Sequence, residues 1–150
     1  MKEPLLVSAC LLGEPCRYDG AARPDEAVKS LRERYTLIPF CPEVSGGLPT
    51  PREPAEIVNG RVLTRSGRDV TEAYRRGALL ALEQARRAGC RRAVLKERSP
   101  SCGHGCIHNG RFDGKLVPGN GVTAGLLMEN GISVYGESDV ENGRLPAGLE

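Results

Sequence analysis

Residues 69–103 read DVTEAYRRGALLALEQARRAGCRRAVLKERSPSCG, and the reading of this stretch decides the fold class. Asp69-Val70-Thr71-Glu72 has the spacing of a capping box with Asp69 as the cap. The helix it opens extends to about Ala88, where Gly89 supplies a C-terminal stop. Arg92-Ala93-Val94-Leu95-Lys96 then forms a short apolar strand, and Ser99-Pro100-Ser101-Cys102-Gly103 is the loop beyond it. A long helix feeding a strand is half of a βαβ unit.

The same alternation extends outward in both directions. Leu5-Leu6-Val7-Ser8 suits a buried strand, ends near Cys10, and is followed by a loop to Arg23. A helix starts near Pro24-Asp25-Glu26 and buries Ala27, Val28 and Leu31. Thr36 to Phe40 is a second strand ending at Cys41, followed by a long loop from Pro42 to Pro54. Asn59-Gly60 is a hairpin turn between two short strands. Past Cys102, residues 103–119 read as irregular. A helix over about Val122 to Glu129 stops at Asn130-Gly131, and Ile132 to Tyr135 is a final strand. Strands alternating with helices predict a single α/β domain over residues 1–150. Its form is a three-layer α/β/α sandwich around a mainly parallel, Rossmann-like sheet, with a small β-ribbon insertion.

Composition narrows the function classes. Of 150 residues, 39% are hydrophobic and 27% charged, which suits a soluble globular domain. No apolar run is long enough to span a membrane. Met1-Lys2-Glu3-Pro4 is too short and too acidic for a secretory signal, so a cytoplasmic location is expected. Arg86, Arg87, Arg91 and Arg92 form the densest basic cluster, but aromatic residues make up only 4% and Trp is absent. A nucleic-acid partner is possible but not favoured, and a solvated helix end accounts better for the cluster. The sequence leaves the oligomeric state open.

Six cysteines in such a chain demand an explanation, because reducing compartments disfavour disulfides. Cys90 reads as a small core residue and Cys106 as incidental. Cys10, Cys41 and Cys102 each lie just past the carboxyl end of a different strand, which is where open parallel sheets bind ligands. Cys16 shares a loop with Cys10 and is a ligand, a redox-active neighbour or a packed thiol. Three chemistries compete. A zinc site lacks the usual Cys-x-x-Cys knuckles, although Cys102, His104, Cys106 and His108 could imitate one. A nucleophilic Cys102 with His104 as base is a second reading. A cluster held by three thiolates is the third: its remaining iron stays open as a Lewis acid suited to soft sulfur.

Four blocks in order resemble the TudS-like thiouracil desulfurase family, also known as the domain of unknown function 523. They are Cys10-Leu11-Leu12-Gly13 with Cys16-Arg17-Tyr18-Asp19-Gly20, Cys41-Pro42-Glu43, Pro49-Thr50-Pro51-Arg52, and Lys96 through Gly103. The resemblance implies a 4Fe–4S cluster with one open iron, held by Cys10, Cys41 and Cys102, with Cys16 as an alternative ligand. It implies non-redox removal of sulfur from a small thiopyrimidine, giving the oxo-pyrimidine and hydrogen sulfide. Glu43 takes the acid–base role, assisted by Ser99 or Ser101, and Arg17, Tyr18, Asp19 and Arg52 line the substrate site. Structural alternatives stand beside these roles: Glu43 as a cap or as partner of Arg52 or Arg17, and Arg17 and Asp19 pairing to order their loop. The chain departs from the family pattern at Ile107-His108-Asn109-Gly110, where Tyr-Asp-Gly is expected. The rival reading is a non-catalytic iron–sulfur or zinc-binding sensor or interaction domain.

Overall fold

A computed structural model describes residues 2–145. Its centre is a four-stranded sheet in the order β2-β1-β5-β8, formed by β1 (Glu3–Ser8), β2 (Tyr35–Phe40), β5 (Arg92–Leu95) and β8 (Ser133–Gly136). All three pairings are parallel, with Leu5 opposite Leu37, Leu6 opposite Ala93 and Val94 opposite Tyr135. Successive side chains on a strand point to opposite faces, so each strand feeds two cores. Leu6, Ala93, Leu95 and Val134 pack with Ala81, Leu82 and Leu127 of α3 (Thr71–Ala88) and α4 (Val122–Glu129). Leu5, Val7 and Val94 pack on the other face with Val28, Leu31 and Val140, from α1 (Glu26–Ser30), the turn after it, and α5 (Glu137–Glu141). The three-layer sandwich expected from the sequence is therefore the fold.

The connections create a switch in direction. From β1 the chain crosses by α1 to β2 on one side, and from β2 it crosses by α3 to β5 on the other. α1 and α3 lie on opposite faces, leaving a crevice above the carboxyl ends of β1, β2 and β5. The ribbon insertion is β3 (Ala55–Val58) with β4 (Arg61–Thr64), joined through Asn59 and Gly60, both at positive φ.

Three local expectations need correction, and one element was not foreseen. The 42–54 segment is not all loop: α2 (Pro42–Ser45) opens on Pro42, with Cys41 as its N-cap residue. Asp69 is not the cap of α3. Val70 holds that position without a side-chain bond, while Asp69 accepts from the Thr71 N–H at 2.9 Å and from Arg61 at 3.0 Å. The stretch 103–119 contains an antiparallel hairpin, β6 (Cys106–His108) with β7 (Leu116–Pro118). Finally, α5 follows β8 directly, within a stretch too short to show periodicity.

α2 and α3 approach at two glycines. A Cβ on Gly77 would lie 1.9 Å from the Pro42 carbonyl oxygen, and one on Gly46 would lie 2.1 Å from that of Ala73. Small residues at this crossing hold the first turn of α2 against α3. Gly77→Ala is expected to destabilise the protein by about 2–3 kcal/mol through overpacking, read as a lowered denaturation midpoint. Gly125→Ala in α4, where the nearest atom is 4.0 Å away, serves as the control and is expected to be neutral or slightly stabilising.

Candidate active site

Cys10 sits in the 3-10 turn (Ala9–Leu12) that leaves β1, closed by Gly13 at φ 104°, whose N–H bonds back to the carbonyls of Ala9 and Cys10. The loop then returns to the same turn, with Arg23 N–H donating to the Cys10 carbonyl at 3.0 Å. Cys41 follows β2 immediately. Cys102 lies in a tight turn after β5, where Ser99 Oγ accepts from the Ser101 and Cys102 N–H groups at 3.0 and 3.1 Å. The Pro100 and Ser101 carbonyls accept from the first amides of α4, so the helix start anchors this loop. All three cysteines, with Cys16, line one cavity of about 680 Å³ at the crevice above the sheet.

The four thiols are free and close-set. Cys16 hydrogen-bonds with the side chains of Cys10 and Cys41, and Cys41 Sγ also donates to the Cys16 carbonyl at 3.8 Å. The bond with Cys10 and partial burial push the Cys16 thiol up to about 11. The bond with Cys16, followed by burial, raises Cys41 well above the ordinary thiol range. Burial pushes Cys102 up to about 12. Cys16, Cys41 and Cys102 therefore favour the protonated form at neutral pH.

Four free thiols on one cavity are the donor type that iron–sulfur clusters take. Among the described residues, no three His, Cys, Asp or Glu side chains converge on a point as ligands of one ion do. The local zinc reading also dissolves: Cys102 and His108 border the cavity, whereas His104 and Cys106 do not. Cys90 packs in the core beneath α3, as expected.

Glu43 stands in the first turn of α2, two residues from Cys41. Its Oε1 accepts from Arg52 Nε at 3.0 Å and from Tyr74 Oη at 2.9 Å, and Oε2 accepts no bond among the described residues. Arg52 is not a free substrate clamp. Besides Glu43 it donates to the Pro49 carbonyl, to Thr50 Oγ1 and, at 2.9 Å, to the Cys16 carbonyl, and its side chain is 7% exposed. Burial, then the Glu43 charge, raises the Tyr74 hydroxyl far above the ordinary phenol range, so it remains a donor.

The other expected site residues divide. Ser99 borders the cavity. Ser101 does not: it is fully buried, with its hydroxyl 2.8 Å from Thr123 Oγ1. Arg17 and Tyr18 border the cavity, and the guanidinium lies 5.6 Å from the ring centroid. Asp19 lies off the cavity, where it accepts from the Ala21 N–H at 3.0 Å and pairs loosely with Arg17 at 3.8 Å. Sequence reading missed Tyr74, Lys96 and His108 as lining residues. Lys96 is held at 2.7 Å by Glu137 of α5, and its N–H donates to Ser8 Oγ at 2.8 Å. Tyr74 carries only the signal of a core position on α3.

At the cavity mouth, Glu141 of α5 faces Asp25, the N-cap of α1, and that neighbour raises its carboxyl to about 6. A raised folded-state value favours the protonated form, so this contact supports folding below about 4.5 and that support is lost as pH rises through about 6. Glu141→Gln is expected to raise the melting temperature at pH 7.5 and to flatten its fall between those pH values. Arg52→Ala should cost about 3 kcal/mol in urea unfolding, because it leaves a largely buried carboxylate unpaired. Adding Glu43→Gln should recover part of that loss, since the two groups share one interaction.

Comparisons with known proteins place this geometry. The model of the 2-thiouracil desulfurase family matches residues 5–139. A Bacillus subtilis relative, the uncharacterized protein YbbK, is 43% identical over 92% of this chain and 98% of its own length. The solved structure of the 4Fe–4S-dependent thiouracil desulfidase TudS is similar with a TM-score of 0.87 and 49% identity, covering 94% of this chain and 95% of that one. With the family match spanning nearly all the described sheet and every cysteine on the cavity wall, the chain belongs to the 2-thiouracil desulfurase family.

Proposed function

We propose that this protein is a 4Fe–4S-dependent enzyme that hydrolytically removes sulfur from a small thiolated pyrimidine, releasing hydrogen sulfide and the oxo-pyrimidine. The observation that carries it is the meeting of Cys10, Cys41 and Cys102 with Glu43 on one cavity wall, in a member of this family. Cys10, Cys41 and Cys102 would hold the cluster, one from the end of each of three neighbouring strands. Cys16 lies between Cys10 and Cys41 and remains the spare thiol. When bound, a cluster held by three thiolates supplies a Lewis-acidic iron that polarises the thione and makes its carbon electrophilic.

The chain's own residues supply the proton chemistry. Glu43, through its unbonded Oε2, takes a proton from the water that attacks the ring carbon. Ser99 Oγ already accepts two backbone N–H bonds, so its O–H is free to pass a proton to a ring nitrogen or to the departing sulfur. The protonated Glu43 carboxyl gives back the proton it took, so that both water protons leave on hydrogen sulfide and both side chains regain their starting forms. Oxygen replaces sulfur at the carbon, sulfur leaves as hydrogen sulfide, and no net electrons move. Arg17 and the Tyr18 ring offer a donor and an apolar face to the pyrimidine. A small molecule is favoured over nucleic acid: in the basic cluster, Arg86 bonds Asn130, Arg87 pairs with Glu83 and Arg92 pairs with Glu3. No helix among the described residues is long and apolar enough to cross a membrane.

Anaerobic reconstitution with iron and sulfide tests the reading. The expected product is a brown protein with about four irons per chain that releases sulfide from 2-thiouracil. Serine at position 10, 41 or 102 should abolish iron retention, whereas Cys16→Ser should keep it. Glu43→Gln should keep the iron and lower kcat by about 10²- to 10⁴-fold. A colourless protein that binds one zinc and releases no sulfide would overturn the proposal.

A further inference from the structure

We infer that Tyr74 is a positioning residue for the reaction: its hydroxyl, together with Arg52, occupies one oxygen of Glu43 and so turns the other toward the substrate. The inference rests on Glu43 acting as the base. A carboxylate turns readily about its last side-chain bond, and its two oxygens are equivalent until neighbours distinguish them. Here both donors fall on Oε1, from Tyr74 at 2.9 Å and Arg52 at 3.0 Å, and none on Oε2. Donors from two directions on one oxygen fix the plane of the group as well as its rotation.

The phenol is well placed for this task. Tyr74 is 2% exposed and lies in the first turn of α3, and its side chain borders the cavity. Its distance to Glu43 is set by the crossing of α2 on α3, where Gly46 and Gly77 leave no space for a Cβ. Arg52 is fixed independently, by the Pro49 and Cys16 carbonyls and by Thr50. The two donors therefore reach Glu43 from separately anchored elements. Tyr74 does not need to touch the substrate; it acts through Glu43.

Kinetics on the cluster-loaded enzyme with 2-thiouracil, normalised to iron content, test the assignment. Tyr74→Phe is expected to lower kcat about tenfold with KM within twofold, because it disturbs orientation and not binding. In the Glu43→Gln background the same change should have no further effect. A second readout needs no cluster: the Glu43 carboxylate stretch, isolated as the infrared difference between the parent and Glu43→Gln, should move on Tyr74→Phe. An unmoved band, an unchanged kcat, or equal losses in both backgrounds would overturn the inference. If Glu43→Gln is inactive while Tyr74→Phe matches the parent, only the role of Tyr74 falls. A fully active Glu43→Gln would remove the base itself, and the inference with it.

Discussion

The parallel pairing of β1 with β2 on one side and β5 on the other is the constraint from which the site follows. Because all three strands run the same way, their carboxyl ends share one rim, and the residues leaving them are neighbours whatever their distance in sequence. Cys10 lies in the turn after β1, Cys41 directly follows β2, and β5 leads to Cys102. The reversal of winding after β2 matters equally. Because α1 lies on one face and α3 with α4 on the other, the loops that leave the neighbouring strands β1 and β5 diverge at this point. With α1 and α3 on opposite faces the rim stays open, and the cavity forms there.

Charge is managed around that cavity by pairing on its wall. Glu43 faces Arg52, and Lys96 faces Glu137. The sulfurs are the groups left to carry new charge when metal arrives; a neighbouring thiol, with burial, raises Cys16 and Cys41, and burial raises Cys102, which favours their protonated forms beforehand. On the proposed reading, loading the site is a proton-releasing reaction, because each thiol must give up its hydrogen to become a ligand. The energetic cost of burying unpaired thiolates in the metal-free protein is thereby avoided.

What the sequence disclosed follows from how far each signal reaches. α3 is long enough for its pattern and its Gly89 stop to speak, and Asn59-Gly60 dictates its hairpin through backbone conformation alone. The strand ends, and with them the cysteine trio, were legible because apolar runs and turn residues bracket them. α2 and α5 are four and five residues long and show no period, although Pro42 after Cys41 was a fair start signal. Asp69 looked like a cap by spacing but was drawn to Arg61 across the ribbon. Ser101 and Asp19 sit in cysteine-bearing loops as expected, yet Thr123 and Ala21 claim their side chains. Tertiary partners decided these cases, and a single sequence does not print its partners.

Arg52 shows why the cysteine-bearing loops and Glu43 are not separable units. Its guanidinium joins the Cys16 loop, the Pro49-Thr50 turn and Glu43, while its own N–H donates to the Tyr18 carbonyl at 2.6 Å. The carbonyl of Cys16 that it holds is also the acceptor for Cys41 Sγ. A displacement of the Cys16 loop is thus felt at Cys41 through one bond and at Glu43 through Arg52. Glu43 is tied in turn to α3 by Tyr74, and Cys41 to α2 by the chain itself. Cys16, Cys41, Glu43 and Arg52 are therefore joined in one hydrogen-bonded network, tied to α3 through Tyr74. The close approach of α2 and α3 at Gly46 and Gly77 sets the distance from Tyr74 to Glu43, and so joins this network to the core.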